Sequence, residues 1–197
     1  MTDRPASVPR IIALSGAVGA GKSTAAAHLA ERHGFARIRF AGPLKAMVRA
    51  FLASAGTPPD AIERLIEGDL KEAPCAVLAG NSPRYAMQSL GTEWGRHLLH
   101  PDLWVSAWSA GAAAALAAGA PGVVVEDCRF PNEAEAVRAL GGRIVRIVRP
   151  GLVIPLSGHA SEGQHLPCDA TVLNDGAPEI LHGRLDALVR RFALRTV

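Results

Sequence analysis

The apolar positions of this chain fall into short unbroken runs, separated by longer stretches with a helical period. Arg10 to Ser15 (RIIALS) is followed by Gly16 and reads as a fully buried strand, because neither face carries a polar repeat. Lys22 to His33 reads as a helix with Gly34 as its stop. Ala36 to Phe40 makes a second short strand, and Gly42-Pro43 opens a helix through about Ala53. Thr57 to Glu72 predicts a polar helix entered at Pro58-Pro59, and Ser82 to Leu99 and Leu103 to Ala118 two more, separated by His100-Pro101. Val123 to Asp127 is the most strand-like segment, three valines running into two acids. Pro131 to Leu140 is a helix with Pro in its first turn and Gly141-Gly142 past its end. Arg143 to Val148 and Ala170 to Leu173 complete the strands, with an irregular stretch from Pro150 to Pro167 between them. Asn174-Asp175-Gly176 is a turn, and Pro178 to Leu194 a final helix. Five short apolar strands alternating with helices predict an α/β protein, its parallel sheet covered on both faces.

Length adds that 197 residues suit one domain with a real core, so residues 1–197 are expected to fold together. Composition excludes more than it identifies. An apolar content of 49% with a net charge of only +3 excludes disorder. The basic residues form no run or stripe, so no nucleic-acid partner is expected. Cys75, Cys128 and Cys168 are odd in number and form no CxxC pair, which argues against a disulfide framework or a zinc site and for a reducing cytoplasm. The opening MTDRPASVPR has no apolar stretch, so no secretory leader is expected. Val105 to Val125 is uncharged over about the length that spans a bilayer, but it is mostly Ala and Gly and is cut by Pro121-Gly122. It reads as an Ala-rich soluble helix and a buried strand, and no membrane partner is expected.

The chemistry begins at Gly16-Ala17-Val18-Gly19-Ala20-Gly21-Lys22-Ser23, a full match to GxxxxGK[ST] placed between a strand and a helix. Glycines there let backbone N–H groups turn inward around phosphate oxygens, and the following helix points its partial positive end at the same anion. Gly16, Gly19, Ala20, Gly21, Lys22, Ser23 and Thr24 are therefore candidate ATP contacts, with Lys22 the mobile charge on the β/γ-phosphates. The Ser23 hydroxyl and the Asp127 carboxylate, at the end of an apolar strand, are candidate ligands for Mg²⁺. Glu126 is adjacent to Asp127 and so points to the other face. No residue pattern looks like a general base or nucleophile. Phosphoryl transfer to an acceptor phosphate oxygen requires neither, since position and charge carry it. His97 and His100, three apart on a helix, are at most half a metal site and read as capping or surface residues.

Several segments together are more specific than the glycine loop. They are Leu14-Ser15-Gly16 with that loop, Phe40-Ala41-Gly42-Pro43-Leu44-Lys45, and Met87-Gln88-Ser89-Leu90-Gly91-Thr92-Glu93-Trp94-Gly95-Arg96. Asp102-Leu103-Trp104-Val105, Asp127-Cys128-Arg129-Phe130-Pro131-Asn132-Glu133, Val148-Arg149-Pro150-Gly151, His159, Glu162 and Asn174-Asp175-Gly176 continue them. In these segments the chain resembles the bacteriophage and prophage deoxynucleoside monophosphate kinases, from Leu14 to about Leu188.

The resemblance implies a P-loop nucleoside-monophosphate-kinase fold with strand order 2-3-1-4-5. A helical acceptor-binding insertion would span residues 41–120 and a lid residues 150–168. It implies transfer from ATP, with Mg²⁺, to a 2′-deoxynucleoside 5′-monophosphate (dNMP). Acceptor binding would fall to Lys45, Arg84, Gln88, Gly91, Thr92, Trp104, Asp127, Arg129 and Glu133, and catalysis to Lys22, Asp127 and Arg129. Asn174 and Gly176 would lie by the adenine, and the phage relatives suggest a homodimer. Trp94 and Trp104 fit either a stacking role or a core role, and Lys45 either a phosphate or a solvated helix face. The lid has no Lys or Arg, so a charge-stabilising group would come from Arg129, Arg149 or His159. The phage relative carries an acid where Ser23 stands, so Ser23 rests on the motif alone. Two rival readings remain at this point: a dephospho-CoA kinase, and a P-loop protein that holds ATP without transferring it.

Overall fold

The computed structural model describes residues 10–152 and 166–194. Residues 153–165, with most of the expected lid and both His159 and Glu162, lie outside the described residues. Five parallel strands form one sheet, β1 (Ile11–Ser15), β2 (Ala36–Arg37), β3 (Val123–Val125), β4 (Arg143–Val148) and β5 (Ala170–Leu173). Their order is β2-β3-β1-β4-β5, as the resemblance implies. The helices are α1 (Lys22–His33), α2 (Gly42–Ser54), α3 (Pro59–Ile66), α4 (Pro83–Ser89), α5 (Leu103–Ala117), α6 (Pro131–Ala139) and α7 (Pro178–Leu194).

Two compact units divide the chain: one takes the segments up to Arg39 and from Ser109 onward, the other Phe40–Trp108. In the first, β1 is central and every residue of it is buried, which its unbroken apolar run permits. Ile12, Leu14, Val124, Val145 and Ile147 of the sheet pack with Ala25, Ala26 and Leu29 of α1 and Leu181, Leu185 and Val189 of α7. The alanines of α1 set this packing, because they bring the helix backbone close to the sheet. Gly34 ends α1 in a left-handed conformation (φ 70°), its N–H donating back to the Ala30 carbonyl at 3.0 Å.

The second unit has its own core, built from Leu44, Val48, Leu52, Ile62, Leu65, Ile66, Met87 and Trp104. Phe40 and Trp108, at the two ends of this unit, meet with ring centroids 4.6 Å apart and planes tilted by 34°. Among the described residues, no helix is long and apolar enough to cross a membrane.

Four elements differ from the sequence expectation, the first being the strand expected over Val123 to Asp127, which ends at Val125. The strand expected through Phe40 forms a ladder only over Ala36–Arg37, although the Ile38 N–H still donates to the Val124 carbonyl at 3.0 Å. Its partner β3 offers only three residues, and beyond it Arg37 and Arg39 both turn their guanidinium groups to Glu126. The helix expected through Glu72 stops at Ile66, where the N–H groups of Gly68 and Leu70 both return to the Arg64 carbonyl and close the last turn.

The helix expected over Ser82–Leu99 begins as predicted, with the Ser82 hydroxyl accepting from the Tyr85 N–H at 3.2 Å. From Leu90 to Leu99, however, it widens into a π-helix. Gly91 and Gly95 explain the change. The Trp104 indole N–H donates to the Gly91 carbonyl at 2.8 Å, and a Cβ on Gly95 would sit 2.6 Å from the Trp104 ring. The wide turn makes room for the indole, and π-segments of this kind concentrate at functional sites.

Leu29 is fully buried between α1 and the sheet, so Leu29→Ala is expected to destabilise the protein by about 2–5 kcal/mol. Equilibrium urea denaturation measures this. Gly95→Ala forces Trp104 out of its seat, and a lowered melting temperature with altered Trp fluorescence is expected.

Candidate active site

The loop between β1 and α1 is shaped by contacts as much as by any ligand. Gly16 (φ 132°) lies so close to β4 that a Cβ would run into the Ile147 carbonyl. At Gly21 (φ 102°), a Cβ would run into the side-chain amide of Asn174. That amide donates to the Ala20 carbonyl at 2.9 Å, so the turn after β5 ties down the loop from the other side. Gly21 is the N-cap of α1 and brings no side-chain oxygen to the helix's first N–H groups; the first turn carries no carboxylate either. Those donors and the helix dipole leave a positive end facing the loop, the arrangement that binds phosphate. Lys22 folds back over the loop, its Nζ donating to the Gly16 and Ala17 carbonyls at 2.7 and 2.8 Å. Ser23 and Thr24 follow as exposed residues. Within the turn after β5, Arg184 bridges Asp175 and the Leu173 carbonyl, each at 2.6 Å. That hydrogen bond holds the Asp175 carboxyl below its ordinary pKa.

The carboxyl end of β3 lies beside the loop. Ala13 of β1 is level with Val125, the last residue of β3, and Ser15 is the last residue of β1 before the loop; Asp127 follows β3 by two residues. Glu126, 7% exposed, is committed to Arg37 at 3.0 Å and Arg39 at 2.7 Å, on the β2 side. Burial pushes the Cys128 thiol far up, helped by the nearby negative charges of Glu133 and Asp127, so it is inert as a nucleophile.

Two residues expected at the acceptor are instead engaged within the protein. Glu133 is 2% exposed, and its Oε2 accepts the backbone N–H groups of Arg129 at 2.7 Å and Phe130 at 3.1 Å. It caps α6 and fixes the turn on which Arg129 stands. Trp104 is buried beneath the π-helix, as the Gly91 contact requires.

Of the other expected acceptor residues, Asp127 and Arg129 belong to the first unit, and Lys45, Arg84, Gln88, Gly91 and Thr92 to the second. Gln88, Gly91 and Thr92 are half-buried on α4 and the π-helix. Lys45 pairs with Glu67 at 2.8 Å and Arg84 with Glu72. Between these pairs sits Lys71, which sequence reasoning missed. Its pKa is lowered, first by burial and then by the positive charges of Lys45 and Arg84, and its own carbonyl accepts the Arg84 N–H at 2.9 Å. Three cations crowded this closely would be relieved by an anion. One signal was available: the chain has 18 Arg but only three Lys, one in the loop and the other two here.

Comparison with known proteins settles the family. A family model of deoxynucleotide monophosphate kinases matches residues 70–185. A protein of Acanthamoeba polyphaga mimivirus, provisionally named a deoxynucleotide monophosphate kinase, is 34% identical over 159 residues, 72% of this chain and 75% of that protein. The chain belongs to the deoxynucleotide monophosphate kinase family.

Among solved structures, the Thermus thermophilus protein TT1252 superposes with a TM-score of 0.51 at 19% identity, covering 93% of this chain and 97% of that one. That likeness concerns the fold alone. An unliganded sugar kinase from Janibacter aligns over 95% of this chain and 98% of its own, at 18% identity and a TM-score of 0.48. The span matched by the kinase family includes Lys71, Arg84, the π-helix, Asp127 to Glu133 and Asn174, whereas the glycine loop and Lys45 precede it.

Gly21→Ala combines a strained φ with a collision at Asn174, so it is expected to abolish binding of a fluorescent ATP analogue while leaving the circular dichroism spectrum unchanged. Glu133→Ala strands two backbone donors and is expected to lower stability by about 1–3 kcal/mol in urea denaturation.

Proposed function

We propose that this kinase transfers the terminal phosphoryl group of ATP to a 2′-deoxynucleoside 5′-monophosphate, giving the diphosphate and ADP. The observation that carries the proposal is the loop itself: an uncapped helix end with Lys22 folded back over it, beside β3, the strand that Asp127 follows. The loop N–H groups bind the β- and γ-phosphates of ATP, and Lys22 exchanges its two carbonyl partners for phosphate oxygens. The donor set of Ser23 and Asp127 is hydroxyl and carboxylate, the hard oxygens that Mg²⁺ prefers. When bound there, Mg²⁺ neutralises charge on the transferring phosphoryl group.

The acceptor monophosphate is assigned to Arg84 and Lys71, with Lys45 alongside; a guanidinium grips phosphate through two parallel hydrogen bonds. Gln88 and Thr92 are assigned to the base or the deoxyribose. Arg129, on the turn that Glu133 holds in place, is assigned to the charge of the transition state. The attacking oxygen is a phosphate oxygen already deprotonated at neutral pH, which accounts for the lack of a dedicated base in the motifs.

The direct test is a panel of the common dNMPs, NMPs and dephospho-CoA with Mg-ATP, followed by ADP release. Turnover with dNMPs is expected; turnover with dephospho-CoA alone would overturn the assignment. Lys22→Met should lower kcat by about 10²–10³-fold, the magnitude typical of losing one group aimed at developing charge. Lys71→Met should raise KM for the dNMP with KM for ATP unchanged, which separates an acceptor role from a structural one.

A further inference from the structure

The end of α1 remote from the glycine loop carries a second convergence of chemistry-bearing side chains. His28 and His33 of α1 both aim Nε2 at one oxygen, Oδ1 of Asp186 on α7, each at 2.8 Å. One ligating atom from each of the three residues lies within 4.8 Å of the other two. None of the side chains is more than 23% exposed. One turn before Asp186 on α7, His182 stacks on His28, with centroids 4.2 Å apart and planes within 7° of parallel. The Nε2 of His182 is buried and has no hydrogen-bond partner among the described residues. Three imidazoles and a carboxylate are thus gathered in one place, and one of the ring nitrogens is unsatisfied, which is uncommon for a buried polar atom.

We propose that His28 Nε2, His33 Nε2 and Asp186 Oδ1 form a binding site for a divalent transition-metal ion of the zinc class, with water completing the coordination. Two imidazole nitrogens and a carboxylate oxygen are a recurrent zinc donor set. They select against Mg²⁺, which prefers oxygen ligands, so this site is distinct in chemistry from the one assigned to Mg-ATP. Opening the present 2.8 Å contacts to about 3.3 Å would seat a tetrahedral ion with bonds near 2.0 Å, a shift within reach of side-chain rotation. Both histidines bind as neutral rings, their protons moving from Nε2 to Nδ1. His33 also lies in the last turn of α1, where the helix dipole favours a cation. A metal here ties α1 to α7, the two helices that cover one face of the sheet. It would hold the base of the helix whose other end forms the phosphate loop.

The test uses the full-length protein without an affinity tag and without nucleotide. Zn²⁺ titration by calorimetry is expected to give one equivalent in the wild type and none in His33→Gln or Asp186→Asn. Co²⁺ should produce visible d–d absorption in the wild type only, and Zn²⁺ should raise the melting temperature of the wild type but of neither variant. Kinase activity with Mg-ATP should persist in both variants. Circular dichroism establishes that each variant is folded, and His33→Gln decides alone if Asp186→Asn is not. A wild type that binds no Zn²⁺, or a folded variant that keeps the equivalent, would overturn the proposal.

Discussion

Everything at the phosphate end of this molecule depends on a short stretch of backbone that has no room for side chains. Gly16 is pressed against the Ile147 carbonyl and Gly21 against Asn174, so β4 and the turn after β5 grip the loop from two sides. The loop is therefore preformed by its neighbours. A preformed ring of N–H donors at a helix N-terminus binds phosphate without first being ordered, and that saving goes directly into affinity. The parallel sheet delivers those neighbours: β3 and β4 flank β1, and β4 brings Ile147 against Gly16.

The second constraint is electrostatic. Lys45, Lys71 and Arg84 are held close together with Glu67 and Glu72 beside them, and burial together with the two neighbouring cations lowers the pKa of Lys71. A surface serving stability alone has no reason to crowd like charges. The π-helix beside this group adds a backbone made irregular to seat Trp104. Charge crowding and backbone irregularity thus fall in one unit, and the family match covers Lys71, Arg84 and the π-helix.

What could be read from the sequence was local. The bounds of α1, β4, β5 and α7 follow from apolar runs and from Gly and Pro at their ends, and the strand order from the resemblance. What could not be read depends on partners distant in the chain. Nothing in the segment from Leu90 to Leu99 reveals that Trp104 will bond to Gly91 and open the helix. Glu133 reads as an acceptor contact until the Arg129 and Phe130 N–H groups are seen to point at it. The histidines show this most clearly. His97 and His100 are close in sequence and invited attention, and His100 proves to cap a turn, its Nδ1 accepting the Asp102 N–H at 3.1 Å. His28 and Asp186 are 158 positions apart and meet only because α1 and α7 share a face of the sheet.

The most direct measurement is a crystal structure with a non-hydrolysable ATP analogue and a dNMP. The account predicts the β- and γ-phosphates inside the loop, with Lys22 Nζ moved from the Gly16 and Ala17 carbonyls onto phosphate oxygens. A nucleotide bound elsewhere, with Lys22 still on those two carbonyls, would contradict it.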